Sequence, residues 1–208
     1  MGNENSVREQ YDHLAEKYDV RWHGYIASTL SFLKQWAHVE GSESVLDVAC
    51  GTGMLEQLLV TDQPHQNITG IDISLKMLAV ARQKLEAYPN VTFFKANASK
   101  IPLPGESFDR VMCANSFHFF DDPIESLAEM KRVLKPHGRI IIMDWGRDYL
   151  TCRLCDIFLK IFDTVHKQCY TQNELRSFLT KVKFHAVREQ KFKTNLIWGM
   201  MITEAVKI

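Results

Sequence analysis

From Val45 to Trp145 the chain alternates short, strongly apolar runs with segments of helical period, and few folds accommodate that alternation. SVLDVAC stops at Gly51-Thr52-Gly53 and passes into MLEQLLV. NITGIDI is followed by SLKMLAVARQKLEAY, then by the strand-like VTFFKANA and, after a Pro/Gly-rich loop, FDRVMCANS. Asp121-Asp122-Pro123 opens a further helix with a capping carboxylate and a first-turn proline, and Pro136-His137-Gly138 is expected to end it before RIIIMDW. A run as apolar as IIIM suits a strand covered on both faces. Strands joined by helical crossovers lie parallel, and the right-handed sense of each crossover puts helices on both sides of an open sheet. The expected class is α/β, doubly wound and mostly parallel.

Two helices precede the first strand, with Val7, Tyr11, Leu14 and Tyr18 on one apolar face and Ile26, Leu30, Leu33 and Trp36 on the other. Beyond Trp145, LTCRLCDIFLKIFDTVHKQ reads as helical, and Thr171-Gln172-Asn173-Glu174 is a capping box opening a helix to about Lys181. FHAVREQKF and NLIWGMMITEAVKI, separated by Lys193-Thr194, predict an antiparallel hairpin at one sheet edge, which brings the sheet to seven strands. A length of 208 residues suits a single domain over 1–208: helices over 1–40, then a core over 41–208 with a helical insertion at about 148–181.

Composition narrows the function classes. Twenty-five basic and 25 acidic side chains balance, so no global field favours nucleic acid. The balance hides an asymmetry: residues 150–208 carry 10 basic against 5 acidic side chains. No apolar run reaches the roughly 18–20 residues of a spanning helix, and MGNENSVREQ lacks the apolar core of a secretory signal, so a cytoplasmic protein without membrane insertion is expected. Five cysteines form no even framework, and Cys152-x-x-Cys155 has no second pair to complete a metal site, so no metal is expected.

In an open α/β sheet, ligands bind beyond the carboxyl ends of the strands where the strand order reverses. Gly51 and Gly53 let the backbone turn tightly there and let a ligand approach the chain. Asp72 ends the second strand 19 positions after Gly53, where a carboxylate can accept two hydrogen bonds from a ribose diol. The pattern predicts a nucleoside site. A dinucleotide fingerprint needs a third small residue where Glu56 stands, and a carboxylate near that helix start opposes a pyrophosphate, so a ligand without phosphates is expected.

VLDVACGTG, GIDIS, ANASKIPLPGESFD, VMCANSFHFF and EMKRVLKPHGRIII, taken in order, resemble the class I S-adenosylmethionine-dependent methyltransferases over about residues 7–145. Within them the pattern is most similar to the small-molecule group containing the ubiquinone and menaquinone C-methyltransferases. The resemblance implies a Rossmann-like sheet covered by N-terminal lid helices, with S-adenosylmethionine as cofactor and S-adenosylhomocysteine as product. It implies that Asp47, Ala49, Gly51 and Gly53 line the methionine moiety and that Asp72 holds the ribose. Ile73 and Met77 would flank the adenine, Asn97 and Ala98 would read its edge, and Cys113 to Asn115 would face the sulfonium. Tyr18, with Tyr11, is the lid candidate. Asn97 stands where the family has an acid, and Lys183-Phe184 where it often has Gly-Phe.

Transfer from a sulfonium is a one-step displacement that needs alignment more than a nucleophilic residue. Where the acceptor must lose a proton, His118 is the candidate base, with Trp22 and Trp145 as further substrate-pocket candidates. The aromatic and apolar side chains of residues 1–40 and 145–170 predict a small acceptor with a substantial apolar or aromatic part. The alternatives are a non-catalytic S-adenosylmethionine-binding module and a nicotinamide-dependent oxidoreductase. Neither the acceptor atom nor the oligomeric state is legible in the sequence.

Overall fold

The structure, a computed structural model, describes residues 3–163, 165–194 and 198–208. Helices α1 (Asn3–Leu14) and α2 (Tyr18–Ala37) precede β1 (Val45–Val48), α3 (Met54–Asp62), β2 (Ile68–Asp72), α4 (Leu75–Lys84) and β3 (Val91–Lys95). Then come β4 (Phe108–Ala114), α5 (Pro123–Val133), β5 (Leu134–Trp145), α6 (Leu150–Phe162), α7 (Gln172–Lys181), β6 (Phe184–Lys193) and β7 (Gly199–Lys207). The seven strands form one sheet in the order β3-β2-β1-β4-β5-β7-β6. The first five run parallel, while β7 is antiparallel to both β5 and β6. This is the Rossmann-like, doubly wound sheet with an antiparallel edge hairpin.

Period-two alternation divides the core between the two faces. Val45, Ile68, Met112, Ile141 and Ile202 pack with Leu33, Leu55 and Leu78 from α2, α3 and α4. Leu46, Ile71, Val111, Ile140 and Ala205 pack on the other side with Leu127 of α5 and Leu175 of α7. The chain first builds outward from β1 through β2 to β3 and then returns to β1's other side with β4. A crevice opens at the carboxyl ends of β1 and β4, as that reversal requires.

Three boundaries differ from the sequence expectation. Helix α5 stops at Val133, and Pro136-His137-Gly138 lies inside β5 instead of terminating the helix. Proline disfavours helical backbone in the residue before it, Leu134 is already extended at φ −71, ψ 138, and His137 takes φ +63 where the β4–β5 register shifts. Helix α6 ends at Phe162, short of the expected Gln168: the Asp163 carboxylate takes the Val165 N–H at 3.0 Å, a local bond that competes with helix continuation. Strand β7 starts at Gly199, and the first residues expected in it, 195–197, lie outside the described residues. Among the described residues no helix is long and apolar enough to cross a membrane.

Gly70 on β2 marks a close backbone approach within the sheet. A Cβ there would lie 2.6 Å from Glu56 Oε1, 2.7 Å from Phe93 Cδ1 and 2.8 Å from Cys50 Sγ. Gly70→Ala is therefore expected to overpack this point and cost about 1–3 kcal/mol, read as a lower urea midpoint. An unchanged midpoint would mean that the Glu56 side chain swings away freely.

Candidate active site

The crevice holds an open, mostly apolar cavity. Its walls come from the turn after β1 (Asp47, Ala49, Gly51), the end of β2 with the start of α4 (Asp72, Ile73, Met77), the loop after β3 (Asn97, Ala98) and the end of β4 (Ala114, Asn115, Ser116). Val7 and Tyr11 of α1, Tyr18, Ile26 and Leu30 of α2, and Phe119 and Phe120 after β4 complete it with apolar and aromatic surface.

The turn is built for close approach. Ala49 (φ +61), Gly51 (φ +56) and Gly53 (φ +76) all take left-handed backbone, as does Asn115 (φ +57) across the crevice. The Asp72 carboxylate fixes this geometry by accepting the Gly51 N–H at 3.0 Å and the Ser74 N–H at 2.8 Å. Ser74 then caps α4 by accepting the Met77 N–H at 3.0 Å. Gly53, the first cap of α3, packs against Ala81 and Leu85 and is not a cavity wall.

Three carboxyl groups gather beneath the cavity. Burial raises the pKa of Asp47, and Glu56 and Asp72 raise it further. Burial also pushes up Asp72, against the N–H groups of Ser74, Gly51 and Ile73, which favour its ionised form. Glu56, which the sequence suggested as a negative charge at the helix start, is fully buried, and its carboxyl is pushed from 4.5 to about 8, chiefly by burial. It is thus mostly neutral at pH 7, and its obstacle to a pyrophosphate is volume in place of charge. Among the described residues, Asp47 Oδ1 is buried without a hydrogen-bond partner, as are both Glu56 oxygens. Unpaired carboxyl oxygens beside a cavity favour a ligand that brings donors or positive charge.

Two carboxylates also tie the N-terminal helices to the turn. Asp19 of α2 accepts from Thr52 Oγ1 at 2.5 Å and pairs with Lys84 Nζ at 2.6 Å, and Asp12 of α1 accepts from Ser74 Oγ. Tyr11 lies between Tyr18 and Phe119, at ring separations of 5.8 and 5.7 Å.

The remaining sequence candidates fall into a second group. His118 is buried. Asp144 accepts its backbone N–H at 2.8 Å and faces Nδ1 at 2.8 Å, which leaves Nε2 buried without a partner among the described residues. Its ring stacks on Trp145 at 4.8 Å, and Trp145 Nε1 donates to Tyr25 Oη at 2.6 Å. Tyr25 Oη in turn donates to Asn115 Oδ1 at 2.8 Å on the cavity wall. Neither His118 nor Trp145 is itself a wall residue; a chain of contacts connects them to the wall. Trp22 is 38% exposed, away from the cavity, and Cys113 is fully buried in the core. Asn97 Oδ1 accepts the Ser99 N–H at 2.9 Å, so its acceptor already serves the loop.

Sequence reasoning missed Asp144, Tyr25, Asp12 and Asp19. An acid next to Trp145 at the end of a core strand was a usable signal for Asp144; no local pattern marked the others. Away from the cavity, Asp156, His166 and Cys169 bring one metal-capable atom each to within 4.8 Å of one another, where the sequence predicted no metal site.

Residues 46–142 match the methyltransferase domain family. The chain is 34% identical over 148 residues to the demethylmenaquinone methyltransferase of Deinococcus radiodurans, covering 67% of this chain and 60% of that protein. It is 32% identical over 155 residues to the ubiquinone/menaquinone biosynthesis C-methyltransferase of Hahella chejuensis, covering 69% and 61%. The chain thus spans about three fifths of the length of the curated relatives it matches. Among solved structures, a Thermotoga maritima S-adenosylmethionine-dependent methyltransferase, described as a possible histamine N-methyltransferase, superposes with a TM-score of 0.77 at 21% identity, covering 97% of this chain and 99% of that one. A chain of the Haloferax volcanii complex between the Trm112 activator and a putative methyltransferase superposes with a TM-score of 0.83 at 17% identity, covering 95% and 97%.

Glu56 yields a pH prediction. An acid whose folded pKa lies above its unfolded value stabilises the fold fully below the unfolded pKa and loses that contribution as pH rises through the folded one. The urea midpoint is expected to fall as pH rises from 4.5 to about 8, and to fall less steeply in Glu56→Gln. Equal slopes in both proteins would assign the dependence to other groups.

Proposed function

Since the chain belongs, through residues 46–142, to the class I S-adenosylmethionine-dependent methyltransferases, we propose that it transfers a methyl group to a small acceptor with an apolar aromatic ring, of the quinone kind. The observation that carries this reading is the buried, unpaired Asp47 Oδ1 beside Asp72 at a cavity whose other walls are apolar and aromatic. Those residues fit the cofactor: its ribose diol suits Asp72, and its positive charge suits the acidic floor around Asp47. Ile73 and Met77 would flank the adenine, with Asn97 and Ala98 at its edge and Ala49, Gly51 and Asn115 towards the methionine part. When bound, S-adenosylmethionine supplies a methyl group already activated on sulfur.

The protein's own tasks are alignment and exclusion of water. Tyr11 and Tyr18 would cover the cofactor from α1 and α2, while Val7, Ile26, Leu30, Phe119 and Phe120 would hold the acceptor ring by apolar contact. The quinone class is drawn from the activities named for the relatives, and this largely apolar wall supports it. Methylation of a ring carbon releases a proton. His118 is the proposed acceptor for it: a carboxylate at Nδ1 keeps that nitrogen protonated and leaves the Nε2 lone pair free. A cytoplasmic location accords with this reading.

Calorimetric titration with S-adenosylhomocysteine is expected to give micromolar affinity, about −8 kcal/mol, with none for NAD. Asp72→Ala should weaken it by about 1–3 kcal/mol. Folded protein that binds NAD in its place would favour the oxidoreductase. Tight binding without methyl transfer to any of a panel of reduced naphthoquinones and phenols would favour the non-catalytic module.

His118→Ala should leave S-adenosylhomocysteine affinity nearly unchanged and lower turnover of a carbon acceptor by about 10²–10⁴-fold. Undiminished turnover would reduce His118 to a packing residue beneath Trp145.

A further inference from the structure

Helix α6 is inside out. Six of its large apolar side chains are exposed: Leu150 (71%), Leu154 (59%), Ile157 (51%), Phe158 (58%), Ile161 (71%) and Phe162 (70%). The spacing 150, 154, 157, 158, 161 places them on one stripe of the helix. Cys152 and Asp156, the buried positions of the same helix, face the protein.

This orientation is enforced by polar bonds. Asp156 accepts the Cys169 N–H at 2.7 Å and faces His166 Nε2 at 2.8 Å, and Cys152 Sγ donates to the Gly199 carbonyl at 3.3 Å; Lys160 Nζ of the same helix lies 2.9 Å from Asp156. Rotating the helix to bury its stripe would break the bonds of a buried carboxylate, a cost of several kcal/mol. The fold therefore presents the stripe outward, and an apolar surface this continuous marks a contact site.

We propose that α6 is an interfacial helix that lays this stripe into the surface of an anionic lipid bilayer. At 13 residues it is too short to span, and an amphipathic helix with cations beside its apolar face is the form that lies in the interface plane. Its exposed charges are Arg153 and Lys160, both basic, with the Lys160 ammonium also reaching Asp156; its only acid, Asp156, is turned inward. Two acids line the groove beside Phe158 and Phe162: Glu9 of α1, which stands 3.9 Å from Arg8, and Asp163, whose carboxylate is engaged by the Val165 N–H at 3.0 Å. Anionic headgroups complement this surface. A second copy of the helix would instead bring like charges together with no exposed acid on α6 to answer them. Helix α1 borders the groove through Ser6, Glu9 and Gln10 and lines the cavity through Val7 and Tyr11, so one helix separates the lipid-facing surface from the candidate active site.

The test is co-sedimentation of the full chain with extruded vesicles of phosphatidylcholine alone or with about one third phosphatidylglycerol. It uses no methyl transfer, so it can fail independently of the proposed reaction. Wild-type protein is expected to partition at least about tenfold more strongly onto the anionic vesicles, with binding weakened by salt. Phe158→Glu/Ile161→Glu, which alters only exposed side chains, should lose that binding by about tenfold while keeping the wild-type unfolding midpoint, and Arg153→Glu should lose part of it. No binding by wild type, equal binding to both vesicles, or binding unaffected by the double substitution would overturn the proposal. A wild-type dimer in sedimentation that the double substitution dissociates would also overturn it, by identifying the stripe as a self-association face.

Discussion

The site depends on the Asp72 carboxylate. Left-handed backbone is costly at Ala49 and free at Gly51, and the turn after β1 holds its shape because Gly51 donates its N–H to Asp72. The second bond, from Ser74, sets the start of α4, and Ser74 then caps that helix and contacts Asp12 of α1. One side chain thereby couples the glycine turn, the second crossover and the N-terminal cover. It does so at the end of a strand paired residue for residue with β1 and β3, so its position derives from the sheet.

That arrangement gathers three carboxyl groups where they have few partners. Glu56 and Asp72 both oppose the ionisation of Asp47, Asp72 opposes that of Glu56, and burial removes the water that would screen them. A fold selected for stability alone would satisfy the buried Asp47 oxygen or replace it with an apolar group. Keeping it unpaired makes sense if a cationic, donor-rich molecule completes the set, and an S-adenosylmethionine sulfonium is such a molecule. The acids and the apolar upper wall are then complementary halves of one cavity: one sized to charge, the other to an uncharged ring.

How much of this the sequence carried depends on the range of the interactions involved. The crossovers, the glycine turn and Asp72 were legible because apolar period and the spacing of a turn from a strand end are local properties. The capping box at Thr171 was legible for the same reason, since both bonds form within four residues. The end of α5 was misplaced because its punctuation, Pro136 and Gly138, also suits a bulged strand, and only pairing with β4 decides between them. His118 was visible as a titratable residue in a loop, but its burial under Trp145 and its bond to Asp144, 26 positions away, were not. Glu56 was placed correctly in the chain and given the wrong charge, because ionisation depends on burial from every side.

Helix α6 shows the same limit from the opposite direction. Its period announced an amphipathic helix, and the ordinary inference is that the apolar face turns to the core. The structure reverses it: a single carboxylate, Asp156, finds a backbone N–H and an imidazole on the protein side, and those two bonds fix the rotation of the whole helix. A face of six large apolar residues cannot be explained as a failure of packing when the packed face is a satisfied polar network. The stability of the fold and the exposure of the stripe have one cause, so any partner that covers the stripe adds binding energy without rearranging the interior.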